Sequence, residues 1–293
     1  MSQPTLADLR AFMMVAARRS FSQAAGELGV SRSALSHAMR GLESDLGVRL
    51  LHRTTRSVSL TEAGERLLAR LRPVMSDLDH ALDDVALDDS TPRGTLRING
   101  SEGAIRQLLR TVVPRFLAMY PQMELDLVAD GRLVDVVAEG FDAGVRLGEA
   151  VHKDMIAVRV SEDFRFLAVA SPAYLRRHGR PAAPEDLHAH RCIRQRLPSG
   201  KRYRWEFARH GQELAIDPPG ALTLDSNMLM VEAALDGLGI AYVPEPYARD
   251  ALARKRLAVV LGDWCPVIPG LFLYFPGNRH IPAGLRAFIQ LLR

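Results

Sequence analysis

The sequence predicts an α/β protein that begins with an all-α region. Apolar residues recur at helical spacing through roughly the first 90 residues, whereas short apolar strands alternate with amphipathic helices after residue 94. Between them, the segment DDSTPRG at 88–94 combines charged residues with Pro and Gly, which predicts a hinge. A length of 293 residues suits about two domains.

Three short helices are predicted at the N-terminus. The first covers residues 5–18. The second is capped by Ser20 or Ser22 and ends at Gly29. Ser31 caps the third, which buries apolar residues at positions i, i+4, i+7 and i+11: Leu35, Met39, Leu42 and Leu46. Two such helices joined by a Gly-containing turn indicate a helix-turn-helix.

The next segment predicts a hairpin followed by a long helix. Residues 48–60 alternate β-branched and apolar side chains around a Thr-Thr-Arg-Ser tip, the pattern of a hairpin or an irregular wing. Thr61 is the expected N-cap of the helix, and Pro73 predicts a kink because it removes a backbone hydrogen bond.

The long helix carries an apolar seam of the kind that packs on a partner helix. Packing on the chain's own core is the alternative. The seam contains six positions: Leu67, Leu71, Val74, Leu78, Ala81 and Val85.

Beyond the hinge, strands and helices alternate, which indicates a parallel α/β architecture. The predicted strands lie at 94–100, 123–129, 141–147, 164–170, 239–243 and 271–275. The predicted helices lie at 104–119, 131–139, 227–236 and 282–292. A strand-rich segment at 202–216 turns around His210 and Gly211.

Charge is segregated along the chain. Residues 1–72 hold eleven Arg against six acidic residues, whereas residues 73–90 hold six Asp and no Lys or Arg. This pattern is compatible with a nucleic-acid-binding head on a solvated stalk, although scattered charge is the alternative.

Other classes of protein have little support. Two cysteines are too few for a disulfide framework or a cysteine-based metal site. The N-terminus lacks a signal-peptide pattern and no uncharged run is long enough to span a membrane, so we expect a cytoplasmic protein without membrane partners.

An enzyme is not expected either. The segment NGSEG around Ser101 is not a nucleophile elbow, and no phosphate-binding loop or zinc-protease motif occurs. The nine histidines show no recognisable metal-ligand spacing, so no metal and no cofactor is expected. A solute-binding transport protein is an alternative for the α/β region. Such a protein would need an export signal, however, and it would not carry a helix-turn-helix.

The polar face of the third helix predicts contact with DNA. On a helical wheel its polar and basic residues fall within an arc of about 140°, separate from the apolar arc of about 60°. Short hydroxyls and fork-shaped guanidinium groups suit base edges and phosphates when a helix N-terminus enters the major groove. A solvated face is the alternative. The arc contains Arg32, Ser33, Ser36, His37 and Arg40, and Ser31 at the helix start would favour a phosphate.

Residues 9–68 resemble the DNA-binding head of LysR-type transcriptional regulators. The run FSQAAGELGVSRSALS, the segment LE..LGV.L..R and the segment LTEAG stand at that family's spacing. The resemblance continues over the whole chain, and EGFDAGVRLGE and DGLGIAYVPE are similar to the group related to the regulator CrgA. It implies a winged helix-turn-helix, a dimerising linker helix and an effector domain of two α/β lobes like a type 2 periplasmic binding protein.

The resemblance also assigns DNA contacts. Base contacts match Arg32, Ser33, Ser36 and His37, where His37 departs from the family's usual Arg or Gln. Wing contacts match Arg53, Thr54 and Arg56. Ser22 and Gln23 are candidate phosphate contacts, with helix capping alone as the alternative.

Effector-binding candidates follow the ends of predicted strands, where a cleft between two lobes would lie. Ser101 and Glu102 open a helix whose amides can hold an anion, with a simple N-cap as the alternative. Asp130 and Arg146 each end a strand, and Arg146 is either a carboxylate clamp or a member of a structural ion pair. Weaker candidates are Ser171, Arg196, Tyr203, Trp205, Ser226 and Asn227, of which Trp205 is equally a core residue.

We therefore expect a DNA-binding head at 1–61, a dimerising helix at 62–90 and an effector domain at 91–293. Within the effector domain, one lobe covers 91–163 with 269–293 and the other covers 164–268. The expected partners are an interrupted inverted repeat in promoter DNA, a small effector with an anionic group as one option, and a second copy of the chain. A dimer of dimers is expected, and RNA polymerase stays open as a further partner.

Overall fold

A computed structural model of the chain describes residues 4–53, 58–85, 92–132, 134–148, 155–277 and 281–292. The chain forms two compact units. One comprises Met1–Gly94 with Val134–Asp142, and the other comprises Thr95–Leu133 with Ala143–Arg293. The helix-turn-helix lies in the first unit and the two larger sheets lie in the second.

The three predicted helices are confirmed. They are α1 (Leu6–Arg18), α2 (Phe21–Leu28) and α3 (Arg32–Leu46). Thr5, Ser20 and Ser31 cap them by accepting first-turn N–H groups at 3.2, 3.4 and 3.1 Å. Ser20, and not Ser22, is therefore the cap of α2. Gly29 ends α2 at a φ of 65°, a left-handed conformation that glycine adopts without a steric cost.

The three helices share one apolar core. Phe12, Leu35, Met39 and Leu42 are each at most 2% exposed. The predicted apolar arc of α3 therefore faces inward, and its polar arc is directed away from this core. Leu46, predicted to be buried, is 40% exposed because it lies in the last turn of α3.

A short wing follows. Strands β1 (Leu51–Arg53) and β2 (Val58–Leu60) pair antiparallel, and the predicted tip at 54–57 lies outside the described residues. Thr61 accepts the N–H of Gly64 at 3.0 Å, which confirms it as the N-cap of α4 (Glu62–Val85). A Cβ on Gly64 would overlap the backbone oxygen of Leu50, so only glycine fits there.

The seam of α4 divides into two parts. Leu67 and Leu71 pack against the helix-turn-helix core, so this part of the seam serves the chain's own core. Further along, the seam residue Val74 is 60% exposed and the seam residue Leu78 is half-buried. Leu82, which lies beside the seam on the same face, is 56% exposed. The side chains of residues 81 and 85 lie outside the described part. The helix continues through Pro73.

The second unit carries thirteen strands and six α-helices among its described residues. The strands are β3 (Gly94–Gly100), β4 (Met123–Ala129), β5 (Ala143–Leu147), β6 (Met155–Arg159), β7 (Phe164–Ala170), β8 (Cys192–Gln195), β9 (Trp205–Arg209), β10 (Gln212–Ile216), β11 (Leu222–Leu224), β12 (Ile240–Pro244), β13 (Ala258–Val260), β14 (Val267–Ile268) and β15 (Leu271–Pro276). The helices are α5 (Glu102–Thr111), α6 (Val113–Met119), α7 (Pro172–His178), α8 (Asn227–Leu235), α9 (Glu245–Ala253) and α10 (Ala283–Leu292).

Two mixed sheets, each with its own apolar core, organise the second unit, and β9 and β10 form a separate hairpin. The first sheet has the order β4-β3-β5-β15-β6, and the second has the order β11-β8-β12-β7-β13, with β14 also paired to β7. Strand β3 is parallel to β5, but β15 is antiparallel to both β5 and β6. The predicted α/β architecture is confirmed, but its parallel pairing holds for only part of each sheet: β8 is parallel to β11 and β12, whereas β7 is antiparallel to β12 and β13. In the first sheet β15 is antiparallel because the chain returns from the second sheet in the opposite direction.

Two predicted helices differ from the structure. The segment 104–119 is interrupted at Val112, because Pro114 has no N–H group to continue the hydrogen bonds of α5 and stands in the first turn of a new helix. Within 131–139 the described residues form only a turn. The carboxylate of Asp135 accepts the N–H groups of Val137 and Ala138, and Gly140 ends the turn at a φ of 71°.

The tight approach of Gly64 to the wing predicts a steep loss of stability for Gly64→Ala. Its methyl group would push against backbone that cannot yield cheaply, so we expect a loss of about 2 kcal/mol or more in the free energy of unfolding. Chemical denaturation followed by circular dichroism measures it.

Gly41→Ala is the matched control, because Gly41 is an exposed residue of α3 and a Cβ added to it would meet nothing within 4 Å. It should stabilise the protein by about 0.5–1 kcal/mol through helix propensity. A Gly64→Ala variant as stable as the wild-type protein would contradict the packing described.

Candidate functional site

The structure gathers the predicted base-contacting residues on one face of α3. Arg32, Ser33, His37 and Arg40 are exposed and Ser36 is half-buried. The buried residues of α3 hold this face outward. Ser31 caps the helix by accepting the N–H of Ala34, and its Oγ lies 3.0 Å from that of Ser33.

The first turn of α2 adds two further polar side chains. Ser22 and Gln23 are exposed, and Ser20 performs the capping. The alternative that Ser22 acts only as a cap is therefore not supported. Its hydroxyl is accessible to a phosphate, as the predicted contact requires.

Arg53 has a different environment from the one that sequence reasoning assigned to it. Its Nη2 lies 2.8 Å from Oε2 of Glu43, and its guanidinium lies 5.0 Å from the centroid of the Phe21 ring. Its Nη1 donates to Oγ of Ser36 at 3.4 Å. Arg53 therefore connects the wing to both α2 and α3. Of the other wing candidates, Thr54 and Arg56 lie outside the described residues.

Glu43 completes this connection, and sequence reasoning missed it. Its Oε1 accepts the N–H groups of Leu50 and Leu51 at 2.9 and 3.0 Å, while its Oε2 binds Arg53. The available signal was the LE..LGV.L..R segment, in which Glu43 is the E and Arg53 is the R. The chain passes from α3 into β1 within this segment, which brings Leu50 and Arg53, seven and ten residues later, to the Glu43 carboxylate.

Ser101, Glu102, Ser226 and Asn227 come together between the two sheets of the second unit. Ser101 caps α5 by accepting the N–H of Ala104 at 3.3 Å. The carboxylate of Glu102 accepts from Nη2 of Arg106 at 3.1 Å and from Oγ of Ser226 at 3.3 Å. Ser226 precedes α8 without capping it. The carboxylate of Glu102, at the start of α5, thus lies beside the start of α8, which packs with the second sheet.

Tyr247 belongs to the same cluster, although sequence reasoning did not select it. A Cβ on Gly103 would lie 2.6 Å from the Tyr247 hydroxyl, so the tyrosine approaches α5 only because residue 103 is glycine. Burial raises the pKa of Tyr247 to about 12, and the Glu102 carboxylate adds to that increase. The side-chain amide of Asn227 donates to the phenol oxygen, whereas the Oδ1 of Asn227 is buried and has no partner among the described residues.

Arg146 and Asp130 do not form an open anion site. Arg146 is 5% exposed, and its Nη2 donates to the side chain of Asn99 and to the carbonyl oxygens of Asp130 and Arg132. The Asp130 carboxylate accepts from the side chain and the backbone N–H of Arg132 at 2.8 and 2.9 Å, which lowers its pKa. These contacts favour the structural reading of Arg146, which ties the ends of three strands together.

The remaining effector candidates lie in the second sheet's region. Trp205 is 0% exposed and stacks on Tyr242 with ring centroids 5.3 Å apart, which favours the core reading. Ser171 caps α7 and is 4% exposed. Tyr203 packs against the Phe166 ring at 5.6 Å, and Arg196 is exposed after β8.

Metal coordination and membrane insertion find no support in the described ranges. Over these ranges, no group of three or more His, Cys, Asp or Glu side chains is arranged to hold a metal ion. Among the same residues, no helix combines the length and apolar character that a membrane span requires.

Comparisons with known proteins agree with this arrangement. Residues 6–65 match the model of the bacterial regulatory helix-turn-helix protein of the lysR family, and residues 89–293 match the LysR substrate binding domain. The regulator PgrR of Escherichia coli is 42% identical over an alignment of 294 positions that covers 100% of this chain and 98% of PgrR.

Solved structures are similar over nearly the whole chain. CrgA of Neisseria meningitidis, a LysR-type transcriptional regulator, matches with a TM-score of 0.60 and 27% identity, covering 99% of this chain and 98% of CrgA. The full-length virulence activator AphB of Vibrio cholerae has a TM-score of 0.67 at 24% identity over 98% of both chains, a likeness of fold. With its DNA-binding helix-turn-helix and its effector-binding domain, the chain belongs to the LysR family of transcriptional regulators.

Proposed function

We propose that this regulator binds an interrupted inverted repeat in promoter DNA with the N-terminal part of α3 in the major groove. The exposed Arg32, Ser33 and His37 beside a capped helix start carry this proposal. A guanidinium there can bind guanine O6 and N7 in a bidentate manner, while Ser22 and Gln23 suit phosphate oxygens. Arg56 and Thr54 are proposed wing contacts.

The exposed part of the α4 seam supports a dimer. Val74 and Leu82 are large apolar residues left in solvent on the same helix face as the residues that pack on the head. A second copy of this face would cover them. We propose a dimer through 62–90 and a dimer of dimers on DNA.

We also propose the domain limits 1–61, 62–90 and 91–293. Within the last domain, one lobe covers 91–163 with 269–293, and the lobe of the second sheet covers 164–268. We place the protein in the cytoplasm, with RNA polymerase as a further partner.

The effector site is proposed at the Glu102, Ser226, Asn227 and Tyr247 cluster. The buried Oδ1 of Asn227 has no donor within the described structure, so a ligand that offers a hydroxyl or N–H group would satisfy it. An anionic group would compete with the Glu102 carboxylate for Ser226. The ligand would shift regulation through its different affinity for two arrangements of the domain. We propose regulation without catalysis.

Arg32→Ala should weaken sequence-specific DNA binding more than general DNA binding. A bidentate base contact discriminates by about 1–3 kcal/mol, so the affinity for the preferred duplex should fall about tenfold or more relative to a scrambled duplex. Arg56→Ala should weaken both duplexes equally and lower the salt slope by roughly 1. Titrations at several salt concentrations, on a duplex selected from a random library, measure both. Equal losses for Arg32→Ala would assign Arg32 to the DNA backbone.

Val74→Asp combined with Leu82→Asp should break the dimer. A charge on each chain at the proposed seam adds repulsion and removes apolar burial, so sedimentation at micromolar concentration should show a monomer. Ala69→Asp, on the opposite side of α4, is the matched control and should stay dimeric. A double variant that sediments as the wild-type protein does would place the interface elsewhere.

Asn227→Ala should weaken effector binding without disturbing DNA affinity. A thermal-shift screen of small metabolites on the full chain supplies the ligands, and each hit should lose about tenfold or more in affinity for the variant, which lacks the buried acceptor. Gln212→Ala, at the exposed β10 hairpin, is the control. If the hits bind Asn227→Ala as tightly as they bind Gln212→Ala, the effector site does not lie at this cluster.

A further inference from the structure

Among the predicted base-contacting residues, Ser36 is held by a side chain from outside its own helix. Oγ of Ser36 accepts a hydrogen bond from Nη1 of Arg53 at 3.4 Å. Ser36 is half-buried in the face of α3 that also presents Arg32 and His37. A residue of the wing strand therefore touches a residue proposed to face a base pair.

The position of Arg53 is fixed before DNA arrives. Its ion pair with Glu43 is partly shielded, since the two side chains are 26% and 13% exposed. The Phe21 ring lies under the guanidinium at 5.0 Å. Glu43 is itself fixed by the N–H groups of Leu50 and Leu51. Such a packed ion pair restrains the guanidinium far more than an exposed one would.

The chemistry of the two groups determines the direction of their hydrogen bond. A guanidinium has five N–H donors and no acceptor, whereas a serine hydroxyl has one donor and two acceptor lone pairs. Ser36 must therefore accept from Arg53. Within the described part of the chain no group accepts the hydroxyl hydrogen of Ser36 in return. That hydrogen remains available to a ligand on the exposed side of α3.

We propose that Arg53 is a positioning residue that fixes Ser36 as a hydrogen-bond donor toward DNA. This inference rests on the proposed function, in which Ser36 faces a base edge. A serine alone can accept from or donate to a base, but when Arg53 occupies one of its two lone pairs the hydroxyl favours a base with a major-groove acceptor, which guanine, adenine and thymine have. It disfavours cytosine, whose edge offers an amino donor. Arg53 thus contributes to base selection without reading a base itself.

Selection of bound duplexes from a random library, followed by sequencing, tests the proposal on the full chain. Ser36→Ala should flatten the preference at one base pair in each half-site by about fivefold, the factor that corresponds to one hydrogen bond. Arg53→Met should raise the acceptance of cytosine at the same base pair by a similar factor. In the Ser36→Ala background, Arg53→Met should change nothing further at that position.

Two further variants keep the test decisive. Arg49→Met removes the same charge from an exposed position just before β1, so it should weaken binding to all sequences alike. Because Arg53→Met leaves the Glu43 carboxylate without its partner, the pair Glu43→Gln with Arg53→Met is measured beside it. Glutamine retains an oxygen for the Leu50 and Leu51 N–H groups, so a folded protein with the same gain for cytosine is expected.

The outcomes separate this inference from the function on which it rests. If Ser36→Ala flattens one base pair but Arg53→Met weakens all sequences evenly, as Arg49→Met does, Arg53 is a phosphate contact and the inference is wrong. If Ser36→Ala leaves every base preference unchanged, the proposed base contact of Ser36 is itself wrong. A shared effect of Ser36 and Arg53 at one base pair supports both.

Discussion

The DNA-binding head depends on one carboxylate, that of Glu43. It accepts two consecutive backbone N–H groups where the chain enters the wing, and it binds the guanidinium of Arg53. Leu50 and Leu51 are themselves almost fully buried. Without the carboxylate their N–H groups would lose this hydrogen-bond acceptor, and a buried N–H group without an acceptor lowers the stability of the fold. Glu43 thereby joins the wing to the recognition helix through both its backbone and the Arg53 side chain.

Local features of this fold could be predicted from the sequence, because local residues produce them. Ser31 before an apolar run and Gly29 after one determine the ends of helices through hydrogen bonds that span three or four residues. The turn at His210 and Gly211 is similarly local, since both residues adopt a positive φ that joins β9 to β10. The helical-wheel assignment of α3 to a buried and an exposed face follows from the same reasoning.

Long-range pairings could not be predicted in this way. Glu102 and Ser226 are separated by 124 positions, and nothing near either residue indicates the other. Arg146 shows the opposite difficulty. An arginine at a strand end suits an anion site, but three nearby oxygens, two of them backbone carbonyls, take up its Nη2 once the strands assemble. The residue type indicated an anion site, whereas the position in the assembled sheet assigned a structural role.

The absence of a side chain at Gly103 has a consequence for how such a regulator can change over generations. The hydroxyl of Tyr247 occupies the space that a methyl group on residue 103 would need, so Tyr247 of α9 can approach α5 this closely only because residue 103 is glycine. Any larger residue there would push the Tyr247 side chain away from α5. A one-step substitution at this codon would therefore alter the Tyr247 part of the ligand cluster while leaving the sequence of the DNA-reading helix intact.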